Sequence, residues 1–299
     1  MRKLIQLDNV WEKELDELSN THKDNLANFR KLISVLHTSE VLIDTFNKKK
    51  INPYDLDQLQ FIISYYFTHT YHQSLAIYHL SKLGLGSSGL ILVRAVMESL
   101  VNMSYLWQVK KINGNDEERL AWIEYVNVSR HKMDQAWKNM QSHRRKNSRA
   151  LAVPAEIFTN ENSFSFEEKA KDFKNKYQRT DWSKLKNVEM RARAVDDLQI
   201  SILPGMDLEE MYNTVYRWSS EYVHGLSSSS EMYMTGTEKE LLVHFGVSNK
   251  NIDIVLPLLT RVMTFVVVIV NHIFNLDVNI SEQIITAGFN NDKKENKNE

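Results

Sequence analysis

Apolar residues recur every three to four positions through most of the chain, the spacing of one face of a helix. The first run is Leu26, Phe29, Leu32, Ile33, Leu36, Val41, Leu42 and Phe46, stopped by Lys48-Lys49-Lys50. Asn52-Pro53 starts a second, whose apolar face (Leu59, Ile62, Ile63, Tyr66, Phe67, Tyr71, Leu75, Ile77 and Tyr78) is wide enough to demand burial before Gly84 ends it. Ser87-Ser88 is placed to cap a third helix through about Lys111. Asn113-Gly114-Asn115-Asp116 then breaks the chain before a fourth helix that passes Trp137. From Ser142 to Asp181 the pattern weakens into basic, then polar and Phe-dotted sequence containing Pro154, which predicts an irregular surface excursion with short helices. Asp207 can cap a helix through Met211, Val215, Trp218, Tyr222 and His224, stopped by Gly225 and Ser227 to Ser230, and the last long helix is Ile252 to Phe274.

The fold class expected is all-α: a multi-helix bundle of long antiparallel helices with an irregular basic insertion at about residues 142–181. The domains read as an N-terminal helical segment (1–50), a helical bundle (51–280) and a polar C-terminal tail (281–299). Composition agrees. Nine Gly and four Pro in 299 residues leave too few turns for a sheet-rich chain. The absence of Cys excludes disulfide scaffolds, thiolate metal sites and a cysteine nucleophile, and it fits a reducing cytoplasm. Met1 to Asp16 lacks the apolar core of a secretory signal, and Ile252 to Phe274 is interrupted by Asp253, Pro257, Arg261, Asn271 and His272. A cytoplasmic protein without a membrane anchor is the expectation.

The net charge of −1 hides an asymmetry: Arg130 to Arg193 holds 16 Lys and Arg against 8 Asp and Glu, a local +8 that leaves −9 elsewhere. Within it, Arg144, Arg145, Lys146 and Arg149 form a candidate phosphate-contacting, RNA-binding cluster, or a solvated helix end.

Four motifs carry candidate chemistry. Gly84-Leu85-Gly86-Ser87-Ser88-Gly89 matches the dinucleotide fingerprint literally, but a helix rather than a strand precedes it, so a tight interhelical turn is expected. His69, His72 and His79 lie near one helical face, and Glu221-x-x-His224 is half of a di-iron pattern whose second copy is missing, so neither metal nor cofactor is expected. Arg94 and Glu98, four apart on an apolar helix, read first as a structural ion pair and second as part of a polar cleft. In the segment Tyr212 to Gly225, seven residues advance about 700 degrees, so Arg217 and His224 share a face two turns apart, with Asn213, Ser220 and Glu221 beside them. A guanidinium there can hold a phosphodiester and an imidazole can move a proton; the alternative is an Arg217–Glu221 pair and a His224 satisfied at a helix end.

Arg217-x6-His224 resembles the R-x4-6-H signature of the HEPN superfamily of helical domains, which includes ribonuclease toxins and abortive-infection proteins. Ser88-Gly89-Leu90 through Glu98, Trp182-Ser183, and Tyr212-x3-Tyr216-x3-Ser220-x3-His224-Gly225 together resemble a bacterial domain family of unknown function often found near defence genes, over roughly Gly84 to Phe274. The resemblance implies a metal-independent endoribonuclease, a toxin or antiphage effector. In it His224 is acid or base and Arg217 stabilises the phosphorane, with Asn213, Ser220, Glu221, Arg94 and Glu98 in support. It also implies RNA as partner, a homodimer, and a protein partner or antitoxin. The residue after the arginine is commonly polar in active HEPN nucleases and is Trp218 here, which keeps open a non-catalytic helical interaction or sensor module.

Overall fold

The computed structural model describes residues 9–144, 163–200, 202–203, 205–223, 234–237, 240–243, 249 and 251–280. Among these the architecture is an all-α multi-helix bundle with one small hairpin. Helices α1 (Asn9–Thr21), α2 (Leu26–Lys48), α3 (Gln58–Lys82), α4 (Gly86–Asn113), α5 (Glu117–Arg144) and α6 (Ser163–Tyr177) are followed by α7 (Val188–Asp196) and α8 (Leu208–Val223). Strands β1 (Met234–Thr237) and β2 (Glu240–Val243), paired antiparallel with Met234 opposite Val243, precede α9 (Ile252–Phe274). The hairpin is an addition to the helical expectation; four-residue strands fall below the length at which alternation stands out.

The chain forms two compact units, Met1–Trp107 with Val188–Glu299, and Gln108–Asn187. These divide the chain elsewhere than at residue 50, because α2 packs along α9 and α3 in the first unit. Helix α9 is the spine of that unit. Val255, Leu259, Val262, Met263, Val266, Val267 and Val270 are buried along it, and Pro257 sits inside the helix on its exposed side without ending it. By length and apolar composition alone both α4 and α9 would suffice to cross a membrane, although 67% and 50% of their most apolar windows are buried in protein.

Local chemistry explains the helix starts. Asn52 accepts from the Tyr54 N–H and Pro53 opens only a single 3-10 turn, whereas Asp57 and Gln60 form a reciprocal capping box that begins α3. Ser87 and Ser88 do not cap α4, which already starts at Gly86; Ser87 Oγ instead accepts from Asn251 Nδ2 at 3.0 Å. Helix α1 escaped the periodicity reading because its buried stripe is short, Trp11 and Leu18 in a charged segment.

Polar ties hold α1 to its neighbours. Glu40 Oε2 accepts from Trp11 Nε1 at 2.9 Å and Oε1 from the Tyr71 hydroxyl at 3.1 Å, with His37 Nδ1 3.4 Å away. Burial pushes the Glu40 carboxyl up, but His37, Trp11 and Tyr71 together hold it below the usual carboxylate range. A depressed native pKa stabilises the fold above the ordinary carboxylate pKa and loses that contribution as pH falls through the native value. Glu40→Gln should therefore cost about 1–3 kcal/mol near pH 7. The deficit should shrink below about pH 4, as urea unfolding at the two pH values would read.

In the second unit, α6 occupies part of the predicted irregular insertion. Phe166, Ala170, Phe173 and Tyr177 fall at helical spacing, and Phe173 and Tyr177 are buried with Ala121 and Val128 of α5. A stripe in so lysine-rich a segment is easily taken for scattered aromatics. The region outside the described residues begins at 145, so the expected irregularity is corrected for 163–177 only.

Candidate functional site

Helix α8 carries the residues of the sequence-derived site, and its start is tightly built. Glu210 N–H donates to Asp207 Oδ1 at 2.8 Å, the cap expected from sequence. Asp196, at the end of α7, accepts from the Leu208 and Glu209 N–H groups at 3.0 and 2.8 Å. Burial raises the Asp196 carboxyl above its ordinary value even though these backbone donors oppose it. Arg193 forks onto Glu209, with Nε 3.1 Å from both carboxylate oxygens. From this anchor α8 buries Leu208, Met211, Tyr212, Val215 and Ser219 on one side, leaving Asn213 half-buried and Thr214 exposed.

The polar cluster is built where α8 meets α4. Arg94 Nε donates to Glu98 Oε1 at 3.0 Å, one turn on, and Nη2 donates to the Tyr216 hydroxyl at 2.7 Å. The guanidinium carbon lies 3.9 Å from the Tyr216 ring centroid, within cation–π range. Tyr216 stacks on Tyr212, with centroids 4.6 Å apart and planes 26° from parallel. Burial, then the neighbouring Tyr216, raise the Tyr212 phenol, so it remains a neutral hydrogen-bonding group through the physiological range. Arg94 and Glu98 are 23% and 33% exposed, so the pair is neither sealed nor freely solvated. A fixed guanidinium with one carboxylate and two phenols can bind an anionic group or stabilise developing negative charge; a mobile surface arginine would do either less well.

The predicted site residues fall into three groups. Arg94 and Glu98 meet each other and Tyr216, while Asn213 lies on α8 three residues before Tyr216. Arg217, Ser220 and Glu221 belong to the α8 backbone, but their side chains, like all of His224, lie outside the described residues. Arg144 ends α5 with its side chain outside the description, and Arg145, Lys146 and Arg149 lie wholly outside it. Sequence reasoning missed Tyr212 and Tyr216 as members of the cluster. Their i, i+4 spacing shows that the two rings share a face of α8, but not that this face meets Arg94, 122 residues away from Tyr216.

Two glycines of the literal fingerprint have structural roles. Gly84, with φ +72, turns the chain from α3 into α4. A Cβ on Gly89 would lie 3.2 Å from Ile77 Cγ2 and 3.3 Å from Val255 Cγ1, so the glycine sets the approach of α4 to α3 and α9. Gly89→Ala should change stability by less than about 1 kcal/mol, since helix propensity offsets crowding. Gly89→Leu should cost about 2–3 kcal/mol by thermal unfolding, because the side chain must displace two buried branched residues.

His69 and His72 line a cavity of about 710 Å³ beside Phe46, Phe61 and Tyr65, while His79 is exposed on the same helix. Among the described residues no three His, Cys, Asp or Glu side chains converge as metal ligands.

Fold and cluster together define an all-α protein with a polar constellation joining α4 to α8 inside one compact unit. The chain belongs to the family of unknown function DUF5677, whose model matches residues 60–241, more than half of the 299. That range takes in Arg94, Glu98, Tyr216 and Arg217-x6-His224. No curated protein and no solved structure matches the chain.

Proposed function

We propose that the protein is a cytoplasmic, metal-independent endoribonuclease of HEPN type, acting as a homodimer in a toxin or antiphage role that a protein partner or antitoxin restrains. The observation that carries this reading is the 2.7 Å hydrogen bond from Arg94 to Tyr216, which fixes a cation against α8 one residue before Arg217. In the proposed reaction His224 removes the ribose 2'-hydroxyl proton as that oxygen attacks the adjacent phosphorus. Arg217 offsets the charge on the phosphorane, and Arg94 adds positive charge from α4. The P–O5' bond breaks, leaving a 2',3'-cyclic phosphate, and the departing 5'-oxygen takes up a proton to become a hydroxyl. Ser220 and Glu221 orient the imidazole, and Asn213 contacts the RNA.

The test is incubation of purified protein with total RNA in EDTA. Wild type should generate cyclic-phosphate ends, and Arg217→Ala and His224→Ala should each lose about a hundredfold in rate or more. Equal cleavage by all three overturns the site.

A second reading is favoured by a different observation: Arg94, Glu98 and Tyr216 satisfy one another without any ligand, as a structural tie between helices does. In that reading the protein is a non-catalytic helical interaction or sensor module. Absence of cleavage by wild type, with effects in cells that depend on a partner, selects it.

A further inference from the structure

The second unit carries an open cleft of about 800 Å³ just beyond the end of α6, within the volume range of small-molecule sites. Its lining includes Lys174, Arg179, Lys184 and Lys186 against a single carboxylate, Asp181, and also takes in Thr180 and Ser183. Asp181 Oδ1 already accepts from the Trp182 N–H at 2.7 Å. The negative end of the α6 dipole accounts for a lysine in its last turn, Lys174, but not for the three cations that follow the helix.

Arg179 is the unusual member. Its side chain is 13% exposed, and its buried Nε and Nη2 make no hydrogen bond. The nearest carboxylates, Glu117 and Glu118, stay 3.7 and 3.9 Å from it. Those distances give partial charge compensation without a bidentate pair, which leaves Arg179 as a fixed positive charge under the cleft lining. Lys174 and Lys186 are exposed at the rim and have no carboxylate within ion-pair distance among the described residues. Lys184 reaches Glu117 only at 3.7 Å.

We propose that this cleft is a binding site for a phosphate-bearing ligand, with lysines 174, 184 and 186 holding phosphate oxygens at the rim and Arg179 supplying a fixed charge beneath them. Three ammonium groups backed by a fixed guanidinium suit the negative charge that phosphate groups spread over their oxygens. The volume accommodates one nucleotide unit, either free or as part of a single strand. The lining comes wholly from residues of the second unit, and the proposal does not depend on cleavage by the α8 residues.

The experiment uses the full chain carrying His224→Ala, in EDTA, so that binding is read without turnover. A labelled short single-stranded RNA of mixed sequence and ATP are titrated separately at several salt concentrations. Lys174→Ser/Lys186→Ser is compared with Lys13→Ser/Lys23→Ser, which removes the same charge from exposed positions on the other unit. The cleft variant should weaken binding about tenfold or more at low salt, and for RNA flatten the logarithmic salt slope by about 1.4, near 0.7 per lost phosphate contact. The control pair should leave both unchanged. Binding of RNA alone identifies a phosphodiester backbone as the source of the phosphate; binding of ATP alone identifies a free nucleotide. No binding of either probe, or equal weakening by both pairs with unaltered thermal unfolding, overturns the site. Loss of cleavage in His224→Ala with retained binding separates this proposal from the nuclease reading.

Discussion

Glu118→Ala is expected to cost about 3–5 kcal/mol, because it breaks a buried charge cluster from one side only. Glu118 has no exposed surface; its Oε1 accepts from Asn113 Nδ2 at 3.0 Å and from the Lys184 N–H at 3.1 Å, and Arg179 lies 3.9 Å away. Alanine would remove the acceptor of the Lys184 N–H and of one Asn113 hydrogen bond, and it would take away one of the two carboxylates near Arg179 in a low-dielectric setting. The chain from Lys184 is tied to α5 by that carboxylate, so the loss should show as faster hydrogen exchange across α5 and the segment holding Trp182. Glu118→Gln keeps a neutral acceptor and should recover part of the stability while leaving the guanidinium uncompensated. A deficit below about 1 kcal/mol for alanine would show that the cluster contributes little net energy, the outcome when desolvation cancels attraction.

Val266→Lys is expected to destabilise the first unit by at least about 4 kcal/mol, a large share of the stability of an ordinary domain. Val266 is fully buried on α9 between Val262, Met263 and Val270, on the helix that packs against α2 and α3. An ammonium at this position finds no buried carboxylate among the residues named, so the lysine must either lose its proton or open the helix packing. Val268→Lys is the comparison, since Val268 is half-buried and its stem can carry the charge outward. It should cost less than half as much in urea unfolding, and equal costs would contradict the assignment of faces on α9.

How far these features were legible differs from element to element. Asp207 before an amphipathic run marked the start of α8, and the structure has the corresponding cap hydrogen bond. Capping is local chemistry, readable within four residues. Ser87-Ser88 looked equally good as a cap, but Leu85 and Gly86 already lead into the helix and Asn251, far along the chain, claims the Ser87 hydroxyl. Arg94 and Glu98 were legible as a pair because they are one turn apart. Their third partner Tyr216 was not, since it is 122 residues away and nothing in the spacing says which face of α8 meets α4. Similarly, the densest basic run in the sequence is Arg144 to Arg149, whereas the described cleft draws on Lys174, Lys184 and Lys186 with Arg179. Charge density along a chain is not charge density in space.

The sequence by itself determined that this protein is helical, with long α3, α4, α5 and α9, and that it has no thiol chemistry, because periodicity, breakers and composition act over a few residues or none. Only the tertiary structure decided that the N-terminal helices join the first unit, that Arg94 binds Tyr216, and that Arg179 lies largely covered in a cleft shared with Lys174, Lys184 and Lys186. Those outcomes depend on which apolar faces meet, and the contact energy that selects them is shared among residues more than a hundred positions apart, as between α2 and α9.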